Sequence, residues 1–284
     1  MGYNQHQSFF LRERWLGKGL RALVKNERFF FEDDAFEKLG LGKNMVQSLQ
    51  HWLIAVGAVI SEGTGKDRVL TFTKFGQWLL ENDAALKYFD TVAMLHYNLT
   101  AEDEPSSTWY WYFNNYNEDI SDKDEIFNNL NEWVQEREIR VVSENSISRD
   151  VDCLLRMYSL DDEPDDPEEV ISSPFSKLHL IKQRGGIWHK NEIKIPNDNV
   201  LFVKYALCSY AEKNEQYEIN LEDILNKAGL LGKIYNMNSS TIVQSLTRLE
   251  HDPFYKIEFT RTNNLDVIKL PKISVNELLD QHKF

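Results

Sequence analysis

The sequence predicts a mainly α-helical fold with small β-wings, an α+β chain of two winged-helix modules joined by a helical, aromatic-rich middle segment. Three observations predict it. A helix, a glycine corner, a second helix and a short hairpin follow one another between Glu32 and Phe72. A similar order recurs between Leu221 and Leu270. Between the two lies a helical stretch with an unusual density of rings, "SSTWYWYFNNYN", Ser106 to Asn117.

The first module starts with "EDDAFEKLGL", whose Ala35, Phe36 and Leu39 fall at helical spacing. The corner Gly40-Leu41-Gly42-Lys43 raises the alternative of a phosphate cradle. A Walker loop needs G-x-x-x-x-G-K-[ST] between a strand and a helix. Here Asn44 follows Lys43 and a helix comes before, so that reading fails, and the glycines fit a tight turn that uses the left-handed conformation. After the corner, Met45, Val46, Leu49, Trp52, Leu53 and Val56 make one buried helix face. Asn44, Gln47 and His51 form the opposite stripe, with Ser48 beside it. Val59–Ile60 and Val69–Phe72 suit two strands, and "SEGTGKDR" between them is a glycine-containing hairpin with Lys66 and Arg68 near its tip.

In a winged helix the second helix enters the major groove and the wing meets phosphates or the minor groove. Lys43, Asn44, Gln47, Ser48, His51, Lys66 and Arg68 are therefore the candidate contacts to double-stranded DNA. The plainer alternative is a protein-docking module with a solvated polar face.

The middle segment supplies two further helices. The rings of "SSTWYWYFNNYN" suit core packing behind a cap at Ser106 or Ser107, or else a platform for an unstacked base; no basic residue is interleaved, which favours the core. "SENSISRDVDCLLRMY", Ser143 to Tyr158, reads as a serine-capped helix with a buried stripe of Val151, Leu154, Leu155 and Tyr158. Arg149, Asp152 and Arg156 line up opposite. An Asp152–Arg156 surface pair is the bland reading. The sharper one has Arg149 and Arg156 gripping phosphates while Asp150 or Asp152 helps to hold a metal.

The second module runs through "NVLFVKYALCSYAEKN", then "LEDILNKAGLLGKIYNMNSSTIVQSLTRLE", with Ile242, Val243, Leu246 and Leu249 inward and Thr241, Gln244 and Arg248 outward. "FYKIEFTRTNNLDVIKL" is its hairpin, turning at Asn263–Asn264. It is less basic, so a partner-binding role suits it as well as DNA. The expected boundaries are 1–81, 82–160, an acidic linker at 161–170, and 171–284.

Composition sets limits. The 284 residues carry a net charge of −13, which alone argues against nucleic acid. The distribution matters more: residues 1–80 hold eleven Lys and Arg against eight Asp and Glu, whereas "DDEPDDPEE" at Asp161 to Glu169 holds seven carboxylates and two prolines. Such a block repels itself and reads as an exposed linker, with a self-inhibiting DNA mimic as the alternative. Cys153 and Cys208 make neither a disulfide framework nor a cysteine-rich metal site. With no signal peptide or apolar run of about 18 residues, a cytoplasmic protein away from membranes is expected.

Taken in order, "LGLGKNMVQSLQHWLIAVG", "STWYWYFNNY" and "SISRDVDCLLRMY" resemble an uncharacterised-domain family of DNA phosphorothioation operons, that of the Ssp-type B subunit. Such systems replace a non-bridging phosphate oxygen of DNA with sulfur and act against phage. The resemblance, which spans nearly the whole chain, implies a DNA-binding component, with strand nicking ascribed to some members. It implies work beside a cysteine desulfurase, an ATP pyrophosphatase-like sulfur carrier and an ATPase. A metal-dependent nicking endonuclease would use magnesium or manganese, although no His-Asn-His or paired-carboxylate spacing stands out. The other class of function is a non-catalytic winged-helix regulator or protein–protein scaffold.

Overall fold

A computed structural model describes residues 3–159, 172–196, 199–262 and 265–283. The expected acidic linker at 161–170 and the expected turn at Asn263–Asn264 lie outside the described residues. Within them the fold is mixed α/β, dominated by helices, with three small antiparallel sheets.

A loop, residues 3–13, leads into α1 (Trp15–Lys25). Trp15, Leu16, Leu20 and Leu23 face inward because they recur at 3.6-residue spacing. After a 3-10 turn (Phe29–Phe31) come α2 (Ala35–Leu39), α3 (Lys43–Ala55), β1 (Val59–Glu62), β2 (Val69–Phe72) and α4 (Lys74–Asn82). The helix, glycine corner, helix and two-stranded ribbon follow in the order read from the sequence. α1 lies across α3 with Gly19 at the crossing, where a Cβ would sit 2.7 Å from a Leu53 methyl.

The middle of the chain forms α5 (Phe89–Thr100), α6 (Ser107–Asn114), β3 (Ile120–Ser121), α7 (Lys123–Arg137) and α8 (Glu144–Tyr158). α5 is enclosed on almost every side. In α6, Trp109, Trp111, Tyr112 and Phe113 are buried in the core, and Tyr116 beyond it is buried too. The rings are packing material and not an open platform. Ser106 precedes the helix but makes no side-chain cap.

A 3-10 turn (Pro174–Leu178) leads to β4 (Ile181–Arg184) and β5 (Ile187–Lys190), a hairpin whose β5 also pairs with β3. Then follow α9 (Leu201–Asn214), β6 (Glu218–Asn220), α10 (Leu221–Asn226), α11 (Leu231–Ile234), α12 (Ser239–Leu249), β7 (Glu258–Thr262), β8 (Leu265–Lys269) and α13 (Val275–Gln281). Ile242, Leu246 and Leu249 are buried as expected, whereas Val243 is half-buried; Gln244 and Arg248 are exposed, and Thr241 is half-buried. β6 joins the hairpin to give the order β6-β8-β7, a third strand that the sequence pattern did not announce.

Segments distant in sequence interlock. α5 packs on α9, and α4 packs on α13, where the Trp78 indole donates to the His282 carbonyl at 2.6 Å and Lys74 pairs with Asp280 at 2.5 Å. Among the described residues no helix is long and apolar enough to cross a membrane.

Candidate nucleic-acid interface

The corner before α3 is closed by Gly40, in the left-handed region with φ 64°. Its N–H donates to the Glu37 carbonyl, and the Leu41 N–H donates to that of Phe36, which ends α2 in the way glycine permits. Gly42 then turns extended and α3 begins at Lys43. Lys43, Asn44 and Gln47 are exposed on one edge of this helix. The Lys43 ammonium lies 4.9 Å from the centre of the Phe36 ring.

Two of the expected contacts on α3 stand elsewhere. Ser48 is fully buried and donates to the Phe9 carbonyl at 3.0 Å, a bond the Trp52 indole N–H shares at 3.0 Å. The loop 3–13 covers this side of α3, so Ser48 holds the loop and does not face outward. His51 is partly buried against Trp52, with ring centroids 5.0 Å apart. Burial, followed by the neighbouring His6, pulls its pKa down to about 3. It is neutral near pH 7 and offers a hydrogen bond but no charge.

β1 and β2 pair antiparallel from Val59↔Phe72 to Glu62↔Val69, and residues 63–68 between them are exposed. Gly63 has φ 73°. Lys66 is exposed at the tip. Arg68 is drawn back to the ribbon: its Nε donates to Ser61 at 2.8 Å and its guanidinium lies 5.5 Å from the Phe31 ring. Glu62 and Asp67 on the same ribbon offset both cations.

α8 is capped by Ser143, which accepts from the Ser146 N–H. Its expected stripe of Val151, Leu154, Leu155 and Tyr158 is buried, and Cys153 joins it. The four candidate residues for phosphate chemistry divide. Arg149 and Arg156 are exposed on the outer face, and Arg156 lies over Phe10 at 5.4 Å. Asp152 pairs with Lys123 of α7 at 2.5 Å, in place of the expected Arg156. Asp150, one residue past Arg149 and so about 100° around the helix, turns inward and is fully buried.

Asp150 is spoken for. Its carboxylate accepts from the Asn4 N–H, from His6 Nε2 and from the Thr108 hydroxyl, each at 2.8 Å. His6 is itself buried, stacked on Trp52 at 5.9 Å and edge-on to Trp109 at 5.7 Å. The loop thus plugs the gap between α3, α6 and α8. Asn4, Gln7 and Ser8 take positive φ there, at 55°, 51° and 63°, although none is glycine. Such strain persists only where the surroundings impose it.

Arg12, at the end of this loop, was not singled out by the sequence. Its Nε is buried without a partner, and burial, followed by the nearby Arg156, lowers its pKa. Repulsion between these two guanidiniums is of a kind that a bound anion relieves. Its only sequence signal is membership of the basic run from Arg12 to Lys25. His6 carried no signal at all, since its partner is 144 residues away.

Neither aspartate of α8 fits a metal site. Asp150 has its oxygens engaged by three donors, and Asp152 is half-buried and paired with Lys123. Among the described residues no group of three His, Cys, Asp or Glu side chains converges to hold a metal.

Residues 3–282 match a family model described as "Protein of unknown function (DUF4007)". Among solved structures, a magnesium ion-bound SspB crystal structure is similar to this chain, with a TM-score of 0.88 and 22% identity over 99% of this chain and 87% of the other. A second SspB crystal structure gives a TM-score of 0.87, with 22% identity over 99% of this chain and 87% of the other. No curated protein sequence matches the chain.

Proposed function

The chain belongs to the DUF4007 family, and on that premise we propose that it is a DNA-binding component of a DNA backbone phosphorothioate-modification system. The fold it shares with SspB supports the pathway, and through it a place beside a cysteine desulfurase, an ATP pyrophosphatase-like protein and an ATPase. The observation that carries the DNA-binding part is the exposed row of Lys43, Asn44 and Gln47 opening a helix, with the β1–β2 ribbon beside it. We read α2, α3 and the ribbon as a winged helix, in which this row approaches base edges and Lys66 meets phosphate. Amide side chains pair with adenine edges and lysine with guanine, so the row is chemically suited to a groove.

The test is duplex binding measured against salt. Replacing Lys66 with Ala lowers the slope of log K on log salt by about 0.9 if one phosphate contact is lost, and Gln47→Ala weakens binding without changing that slope. Unchanged binding in both variants sinks the placement of the interface. Genes for a desulfurase and a sulfurtransferase found beside this one would support the pathway.

Strand nicking is the sharper form of the proposal. It is tested by incubating supercoiled plasmid with the protein and magnesium or manganese and looking for open circles. The engagement of Asp150 by Asn4, His6 and Thr108 favours, at this helix, the non-catalytic alternative of a winged-helix regulator or scaffold. Arg149→Ala separates the two readings: loss of nicking with the fold intact assigns the activity to α8.

A further inference from the structure

The sequence "RERWLGKGLRALVK", Arg12 to Lys25, carries five cations and one acid, Glu13. Glu13 is taken up by Lys177 at 2.7 Å. Arg14, immediately before α1, and Lys18, Arg21 and Lys25 within it are spaced by four, three and four residues. At about 100° per residue they fall within a wedge of roughly 60°. All four are exposed, and among the described residues none has an acidic partner. Among the described residues the stripe is unpaired by acid, on a chain whose net charge is −13. At its start stand Arg12 and, reaching over from α8, Arg156.

The opposite side of α1 rests on α3, where Gly19 meets Leu49 and Leu53. The stripe therefore points away from the Lys43–Gln47 row, and the two surfaces lie on different sides of the module. α1 is about 16 Å long, enough to run past four or five phosphates of one DNA strand at about 3.4 Å each along the axis. Four like charges held 6 Å or less apart along a helix repel one another, an arrangement that a polyanion relieves. An anionic lipid surface fits less well. The large apolar residues Trp15, Leu16, Leu20 and Leu23 of α1 are at most 3% exposed, and the one exposed aliphatic side chain of the helix, Val24, offers too little apolar surface to insert.

We propose that Arg14, Lys18, Arg21 and Lys25 form a second nucleic-acid contact, a track for the backbone of one DNA strand, separate from the α3 surface. This rests on the DNA-binding reading above and adds to it a path for the duplex around the module. Contacts of this kind are indifferent to base sequence.

The experiment uses the full chain carrying Lys18→Gln, Arg21→Gln and Lys25→Gln together. These side chains are exposed, and an unchanged thermal melt verifies the fold. The slope of log K on log salt for duplex DNA should fall by about 2.7, three contacts at about 0.9 each, with affinity lost equally for unrelated sequences. The charge-keeping variant Lys18→Arg, Arg21→Lys, Lys25→Arg should retain the parental slope. If the parent binds DNA and the Gln variant shows the same slope, the track is refuted while the α3 interface stands. Stripe-dependent sedimentation with phosphatidylcholine–phosphatidylserine vesicles, with the DNA slope unchanged, refutes it in favour of a membrane surface. A parent that shows no salt-dependent DNA binding removes both the track and the function on which it rests.

Discussion

Removing the Asp150 carboxylate should unfold the molecule before it harms any surface chemistry. The group is fully buried and serves three donors on two segments: the Asn4 N–H and His6 Nε2 of the loop 3–13, and the Thr108 hydroxyl of α6. Hydrogen bonds to a charged group contribute about 1.5–3 kcal/mol each but are not additive, and breaking one side of a buried polar pair costs about 3–5 kcal/mol. Asp150→Ala strands all three donors and should cost about 3–5 kcal/mol. Asp150→Asn keeps one acceptor oxygen, which still serves the Asn4 N–H and His6, but turns an amine toward Thr108; about 1–3 kcal/mol is expected. Guanidinium unfolding read by tryptophan fluorescence measures both, with the slope of the transition held common. Trp52 and Trp109 flank His6 and report the same region. A loss below about 1 kcal/mol for Asp150→Ala refutes the structural assignment. So does a variant that is fully stable yet loses DNA chemistry, since that would make the carboxylate a reacting group.

Three further outcomes follow from the same physics. His96 is fully buried, with Nδ1 accepting from the Tyr158 hydroxyl at 2.6 Å and Nε2 donating to the Ile234 carbonyl at 2.7 Å, and burial lowers its pKa to about 3. The unfolded chain takes up this proton below about pH 6.5 and the folded one does not until about pH 3, so stability present above pH 6.5 should fall by about 1.4 kcal/mol per unit below it; chemical denaturation at stepped pH measures this, and His96→Gln should shallow the dependence. Gly40 has φ 64° and open space around it, so Gly40→Ala should cost about 1–2 kcal/mol, whereas Gly76→Ala places a Cβ 1.8 Å from the Ala58 carbonyl oxygen and should abolish soluble yield; equal melting temperatures for the two would contradict this. Burial raises the pKa of both thiols, that of Cys208 to about 12, so labelling with an aromatic disulfide at pH 8 should await unfolding; rapid labelling of native protein is the contrary result.

Local pattern exposed part of this molecule and hid the rest. α3, the ribbon and α8 were legible because each has a buried face that recurs along a short stretch of chain. The core role of the α6 rings followed from the lack of interleaved charge. Ser48 and Asp150 misled for one reason: both sit at polar positions that solvent would satisfy, and both are satisfied by a loop some forty and some hundred and forty residues earlier. That loop has no period, and its positive-φ residues Asn4, Gln7 and Ser8 are not glycines, so no turn signal announced it. The β3-β5-β4 sheet was hidden likewise, since the pairing of Ile120 with His189 spans 69 residues. The α1 stripe is the opposite case, fully visible in the spacing of its lysines and arginines and diluted only when charge is totalled over 80 residues.

The fastening of α4 to α13 has a temporal side. The Trp78–His282 bond joins residues 204 apart, and shutting a loop of that length costs about 5 kcal/mol of chain entropy if nothing inside it is yet ordered. Ordering the intervening helices first shortens the effective loop and lowers that toll. The molecule should therefore assemble from its middle outward, around α5 and its aromatic neighbours, with the α4–α13 clasp among the last parts to lock. During synthesis, Trp78 waits uncovered until the helix that shields it has left the ribosome, a long interval in which a large apolar ring is open to wrong company.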